Sequence, residues 1–151
     1  MNWKIERLQR HELDIIRPLW EKLNAMHLED SRYFKEHFRS FTFEKRTAAF
    51  RESRDDDILI QIVLFEDGRA VGYCISTVDG VSGELDSLYL EEECRGQGIG
   101  GLLVEGCIAW FNDKKCSRVV VGIADGHESV FPFYRKFGFY PRLTYLQLKG
   151  I

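Results

Sequence analysis

Apolar residues recur along this chain with two periods, and the places where one period gives way to the other divide it into elements. Trp3 to Leu8 alternates and predicts a first strand. Leu13, Ile16, Leu19, Trp20, Leu23 and Met26 then follow at spacings of three and four, the period of a helix. Pro18 lies inside that pattern and predicts either a kink or the first turn of a shorter helix, because proline forfeits a backbone donor. A second helical tract, rich in phenylalanine and charge, covers roughly residues 31–54 and should break near Ser40-Phe41-Thr42, where β-branched and aromatic residues cluster. Asp55-Asp56-Asp57 reads as a solvated turn.

The period then changes to that of strands. Ile58 to Phe65 and Ala70 to Val78 are strand-like and joined by the hairpin signal Glu66-Asp67-Gly68-Arg69. Asp79-Gly80 turns the chain again, and Gly83-Glu84 opens a third strand through Leu90, so the short connections predict a meander of three adjacent antiparallel strands. From Ile99 the apolar residues Leu102, Leu103, Cys107 and Ile108 return to helical spacing, in a helix ending near Asp113-Lys114-Lys115. Val119-Val120-Val121-Gly122-Ile123 is a short apolar strand of the kind buried on both faces, and the strand-helix-strand order places it parallel to Leu85–Leu90. A short helix over His127 to Phe137 and a last strand, or pair of strands, over Phe139 to Leu148 around Pro141 complete the pattern. The fold class is α+β: a mixed, mostly antiparallel twisted sheet flanked by helices, without internal repeats or linkers.

The 151 residues suit one domain, 1–151, with 44% apolar and 30% charged residues. No apolar run approaches the roughly 20 residues that span a bilayer, and the N-terminus lacks a signal-peptide core, so a cytoplasmic location without a membrane partner is expected. A formal charge of -3 argues against a nucleic-acid partner and suits a cationic substrate better. Cys74, Cys94, Cys107 and Cys116 show neither Cys-x-x-Cys pairing nor a nearby histidine pattern, so no metal is expected; buried thiols are, with Cys94 the most exposed. His11, His27 and His37 are too scattered for a metal cluster, although His27, near Glu29 and Asp30, could contribute to an acceptor site.

Chemistry concentrates between Leu85 and Leu103. A β-prone run ends in the acidic turn Glu91-Glu92-Glu93-Cys94, and Arg95-Gly96-Gln97-Gly98-Ile99-Gly100-Gly101 then opens a helix. Three glycines within five residues let backbone N–H groups approach a ligand, and the helix N-terminus adds partial positive charge. That is a cradle for a phosphate or pyrophosphate, with Arg95 at its mouth. Gly96-x-Gly98-x-x-Gly101 formally matches the dinucleotide fingerprint, but Glu91 to Arg95 separate it from the strand and only 50 residues follow. No Gly-Lys-Ser/Thr is present for a P-loop.

Arg95-Gly96-Gln97-Gly98-Ile99-Gly100 resembles the Arg/Gln-x-x-Gly-x-Gly/Ala signature of the GNAT superfamily of N-acetyltransferases. The preceding Leu88-Tyr89-Leu90 strand and the later Phe133-Tyr134-Arg135-Lys136-Phe137-Gly138-Phe139 agree with it, so the resemblance covers roughly residues 70 to 149. It implies a three-layer α/β/α fold and acetyl-CoA as cosubstrate, with the pantetheine arm along the backbone of Leu88, Tyr89 and Leu90. Arg95, Gly96, Gln97, Gly98, Ile99 and Gly100 would hold the pyrophosphate, and a backbone N–H near Leu88 would polarise the thioester carbonyl. Tyr134 is then the candidate general acid for the departing thiolate, since a phenol of pKa ~10 begins protonated. Glu84, on one strand face with Asp86, is the candidate base. His127 replaces an asparagine that contacts the cofactor arm in many members, and could hydrogen-bond there or join a proton path.

The resemblance implies transfer of an acetyl group to a primary amine of a small molecule by direct attack on the thioester. A protein or peptide N-acetyltransferase and a non-catalytic acyl-CoA-binding regulatory module are the alternatives. Dimerisation through C-terminal strands is common in such proteins, so a homodimer is possible.

Overall fold

The computed structural model describes residues 2–151. A five-stranded sheet runs in the order β1 (Trp3–Leu8), β2 (Ile58–Phe65), β3 (Ala70–Asp79), β4 (Ser82–Leu90) and β5 (Arg118–Val121). Its first four strands are antiparallel neighbours, and β5 joins β4 in parallel, as the crossover through a helix requires. The expected α+β fold is therefore observed. No helix among the described residues is long and apolar enough to cross a membrane.

One face of the sheet carries the N-terminal helices. A 3-10 segment over Arg10–Ile16 leads into α1 (Arg17–Asp30), and Pro18 sits in the first turn of α1, where its missing N–H costs nothing. The second tract breaks as its sequence suggests, into α2 (Lys35–Arg39) and α3 (Phe43–Glu52), with the Thr42 hydroxyl capping α3 by accepting from the Lys45 N–H at 3.1 Å. Leu13, Ile16, Trp20, Phe43 and Phe50 from this layer close over Ile60, Ile62, Tyr73 and Ile75 of the sheet.

The opposite face is covered by α4 (Ile99–Asp113). Its buried stripe of Ile99, Leu103, Val104, Cys107 and Phe111 packs on Val63, Val71, Cys74 and Leu85. Full burial of each large apolar side chain contributes roughly 1.5–3 kcal/mol, so this stripe anchors the helix and fixes where its N-terminus points. A 3-10 turn over Glu128–Val130 and α5 (Phe131–Arg135) complete this layer.

Three expectations need correction. Residues 139–148 form no strand; beyond Phe139 the chain is without regular structure to Leu148 and exposed throughout. Val119, Val120 and Val121 are only half-buried, because β5 has a neighbour on one side alone. Cys94 is 1% exposed rather than the most accessible thiol, since its side chain packs into the α4-side core while Cys116 remains partly open.

Candidate functional site

The site begins where two strands part. β5 pairs with β4 only from Ser82 to Leu85, matched with Arg118 to Val121, while β4 runs on to Leu90. Residues 86–90 therefore have β3 on one side and no strand on the other, and side chains already meet the backbone at both ends of this stretch, Arg46 at the Asp86 carbonyl and Arg95 at that of Leu90. The β3–β4 register also shifts here, with Ile75 opposite Ser87 and Ser76 opposite Leu85, so Asp86 is the extra residue of a β-bulge. The bulge changes the side-chain parity: Leu85 and Leu88 both join the α4-side core, whereas Asp86, Ser87 and Tyr89 all turn to the helical roof.

The strand leads directly into the glycine loop. Gly96 and Gly98 have φ of 77° and 84°, left-handed values that disfavour any side chain, and Gly98 is the residue that caps α4. No neighbour lies within 4 Å of a Cβ built at either position, so backbone conformation and not crowding demands glycine there. Arg95 staples the loop to the strand by donating from Nε to the Leu90 carbonyl at 2.9 Å, and Gln97 donates to the Glu93 carbonyl at 3.1 Å. Behind the loop, Phe133 and Phe137 pack against Gly100 and Gly101, with Cβ positions 3.3 and 3.2 Å from their rings. A strand edge without a neighbour flowing into exposed amides at the N-terminus of a 15-residue helix is an arrangement that can meet an extended ligand along the edge and an anion at the loop.

Tyr134 lies on the α4 side of the sheet, in one core with Cys74 and Cys107. It is 8% exposed, edge-on to Phe133 and Phe139, and its hydroxyl bonds to no described residue. Burial, helped by the neighbouring Cys74 and Cys107 thiols, pushes its pKa well above that of an ordinary phenol. The proton thus stays on Tyr134 until a strong acceptor appears.

The opposite wall holds the carboxylates. Glu84 is exposed and still within the stretch paired to β5, whereas Asp86 lies just past it and is largely buried. Asp86 accepts from the Thr77 hydroxyl at 2.6 Å, and Arg46 donates to its backbone carbonyl at 2.7 Å. Burial first, and the nearby Glu84 carboxylate, push the Asp86 pKa up to about 7 despite Thr77 and Arg46. Sequence periodicity could pair these two carboxylates on one face; it had no means of locating the bulge that buries one of them.

His127 Nε2 lies 2.8 Å from Asp30 at the end of α1, and its ring rests 4.6 Å from that of His27, which stacks on Phe38. Burial, with His127 close by, lowers the His27 pKa to about 4. His27 Nδ1 is buried without a partner among the described residues. Around this pair the roof is bolted to the C-terminal loop: Arg32 forks onto Asp125, with Nε at 3.0 Å, and reaches Glu128 at 3.2 Å. Gly126, with φ 99°, meets the Asp30 carbonyl so closely that a Cβ would sit 2.4 Å from it. Only the proximity of His27 to acidic residues hinted at this junction in the sequence.

Among the described residues no three His, Cys, Asp or Glu side chains converge as metal ligands. The Cys74 and Cys107 thiols touch at 3.3 Å within the core, with Ser76 and Gln61 donating to Cys107.

Comparison with known proteins agrees with this architecture. A GCN5-related N-acetyltransferase of Ralstonia eutropha superposes with a TM-score of 0.77 at 14% identity, over 97% of this chain and 98% of its own. An aminoglycoside acetyltransferase from an uncultured soil metagenomic sample, solved in complex with trehalose, gives 0.71 at 17% identity, over 99% and 95%. An uncharacterised N-acetyltransferase of Methanocaldococcus jannaschii is 34% identical over 77 residues, which is 50% of this chain and 49% of the relative, so the match spans about half of that protein. The family model for the acetyltransferase (GNAT) family matches residues 20–139, from α1 through the glycine loop to Phe139, and the chain belongs to that family.

Proposed function

We propose that the chain is an acetyl-CoA-dependent N-acetyltransferase that acetylates a primary amine of a small molecule by direct attack on the thioester. The observation that carries this reading is the uncovered edge of β4 past Leu85, running straight into left-handed glycines at the start of α4. Leu88, Tyr89 and Leu90 offer backbone groups along that edge to the pantetheine arm. Arg95 to Gly100 offer amides to the pyrophosphate, and His127, held by Asp30, is a further candidate contact for the cofactor arm. The bound cosubstrate supplies an activated acyl carbon and a thiolate leaving group.

The chain's own groups divide the proton work. Glu84 and Asp86 face the roof side as a carboxylate pair; Asp86, poised near neutrality, takes the proton of the incoming ammonium while Glu84 keeps the local potential negative. A backbone N–H near Leu88 meets the charge that develops on the carbonyl oxygen. Tyr134, held protonated by burial, gives its proton to the departing sulfur. The fastening of the roof at Arg32 and Gly126, beside the stacked His27 and Phe38, supports a compact amine over an extended peptide. The solved neighbour named for aminoglycoside acetylation supports the same class of acceptor.

The test is calorimetric titration with acetyl-CoA and with CoA, followed by thiol release against a panel of small amines and peptides. Binding with turnover on small amines is the expected result. Turnover on peptides alone would replace the acceptor class, and absence of binding would remove the assignment of the glycine loop.

A further inference from the structure

Three arginines are half-buried among the described residues: Arg10, Arg17 and Arg46. Two of them meet a carboxylate, Arg10 that of Asp55 at 2.5 Å and Arg17 that of Glu44 at 2.7 Å. Arg46 has no such partner among the described residues. Of the five N–H groups of its guanidinium, one on Nη2 donates to the Asp86 backbone carbonyl at 2.7 Å, and no other described residue accepts from the rest. The Phe50 ring, itself 3% exposed, lies with its centroid 4.8 Å from Arg46 Cζ, so the group is steadied by an aromatic neighbour as well. A half-desolvated cation held in this way, with donors unspent, is one half of an ion pair.

The missing half is not Asp86. Its carboxyl accepts from the Thr77 hydroxyl at 2.6 Å, and Arg46 takes the main-chain oxygen of the same residue instead. A direct ion pair would hold that carboxyl ionised far below neutrality, whereas burial leaves it titrating at about 7. A second unspent donor lies next along β4. Tyr73 and Ser87, 0% and 8% exposed, share a hydrogen bond of 2.8 Å between their hydroxyls. Only one of the two protons can lie between the oxygens, and no other described residue accepts the second. Donors thus gather around Asp86, where the acceptor amine is proposed to lose its proton.

We infer that Arg46 binds a carboxylate of the acceptor, and that the acceptor is an amino acid with its amine and carboxylate on one carbon. The inference rests on the acetyl transfer proposed above. The carbonyl held by Arg46 and the carboxyl of Asp86 belong to one residue, so a carboxylate on the guanidinium sets an amine on the adjoining carbon beside Asp86. The ammonium gives one proton to Asp86, its nitrogen bonds to the acyl carbon, and the carbon–sulfur bond breaks as the sulfur takes the Tyr134 proton. The second proton lost by the nitrogen replaces the one that Tyr134 gave, and the products are CoA and an N-acetyl amino acid.

Calorimetric titration of the CoA-loaded protein tests the site without turnover. The probes are the N-acetyl derivatives of the common amino acids, each beside its C-terminal amide. At least one acid should bind about 10- to 100-fold more tightly than its amide, the contribution of hydrogen bonds to a charged group. Arg46→Met should bring that ratio to about one, and Arg46→Lys should keep part of it. The ratio is taken within each protein, so a general loss of stability cancels. The kcat/KM values of the free amino acids and their amides should follow the same ratio. Equal binding of acid and amide, a ratio that survives in Arg46→Met, or no binding of any derivative overturns the inference, while turnover on amines without a carboxylate would leave the transfer itself standing. Carboxylate-dependent binding without turnover of the free amino acid would overturn the transfer and not the carboxylate site.

Discussion

The two walls of the cleft solve the same problem by different means. The cofactor-side wall, from Leu88 to Gly101, is specified by backbone: a strand without a neighbour, two left-handed glycines and a helix end. The roof-side wall is specified by side chains, where Asp86 with Thr77 and Arg46, His127 with Asp30, and Arg32 with Asp125 are tied by hydrogen bonds and ion pairs spanning up to 97 residues of sequence. A backbone device recognises a ligand common to many proteins and tolerates side-chain change. A side-chain network is where one protein's acceptor is set apart from another's.

Substitutions should separate the walls. The largest effect is expected at their meeting point: Tyr134→Phe should lower kcat on order of 100-fold or more, the usual contribution of a positioned acid, with thermal stability nearly unchanged because the hydroxyl has no protein partner to orphan. Steady-state kinetics with a melting curve checks both halves. Next, Gly98→Val forces a β-branched residue to φ 84° and should raise the Kd for CoA roughly 10- to 100-fold, read by calorimetry, while an amine's KM at saturating acetyl-CoA stays within twofold. An equal loss in amine KM would mean that the walls are not separable.

Asp86→Asn should do the converse, lowering kcat about tenfold or more and removing an acid limb near pH 7 while leaving CoA affinity intact. It should also stabilise the protein. The folded-state pKa of Asp86 lies above its unfolded value, so the folded state holds the extra proton between pH 4 and 7 and loses stability as pH rises through that window; the asparagine should therefore raise the melting temperature at pH 8 more than at pH 5. The smallest effect belongs to His27. Its folded pKa is lowered to about 4, so the unfolded chain binds the extra proton and stability falls as pH drops from 6.5 towards 4. His27→Phe should recover about 1–2 kcal/mol of that acid loss, a fraction of the full linkage because the ring is partly solvated. Urea titrations at pH 7 and pH 5 give the difference.

The same division explains what the sequence disclosed. Strand alternation placed β2, β3 and β4 to within a residue, and helical spacing placed α4, since these patterns are local consequences of a buried face. The glycine loop was legible because glycine's conformational freedom is itself a sequence property. The bulge at Asp86 was not, because it is a mismatch between two strands that neither shows alone. Nor was the pairing of His127 with Asp30, which exists only once α1 and the loop at 124–128 meet. The segment 140–148 reads as a strand by composition and yet has no strand beside it, so propensity named its character and not its partner.

The close approach of Gly126 to Asp30 also sets an order of events. The fastening joins residues nearly a hundred positions apart, so the entropy of closing that loop must be met before the contact returns anything, and it belongs to the late steps of folding. During synthesis the helical roof emerges first and remains unlatched until the last fifth of the chain has been made, so the meander and its strand edge form before the cleft has a lid. The surface proposed for the cofactor thus forms early, and the wall proposed for the acceptor last.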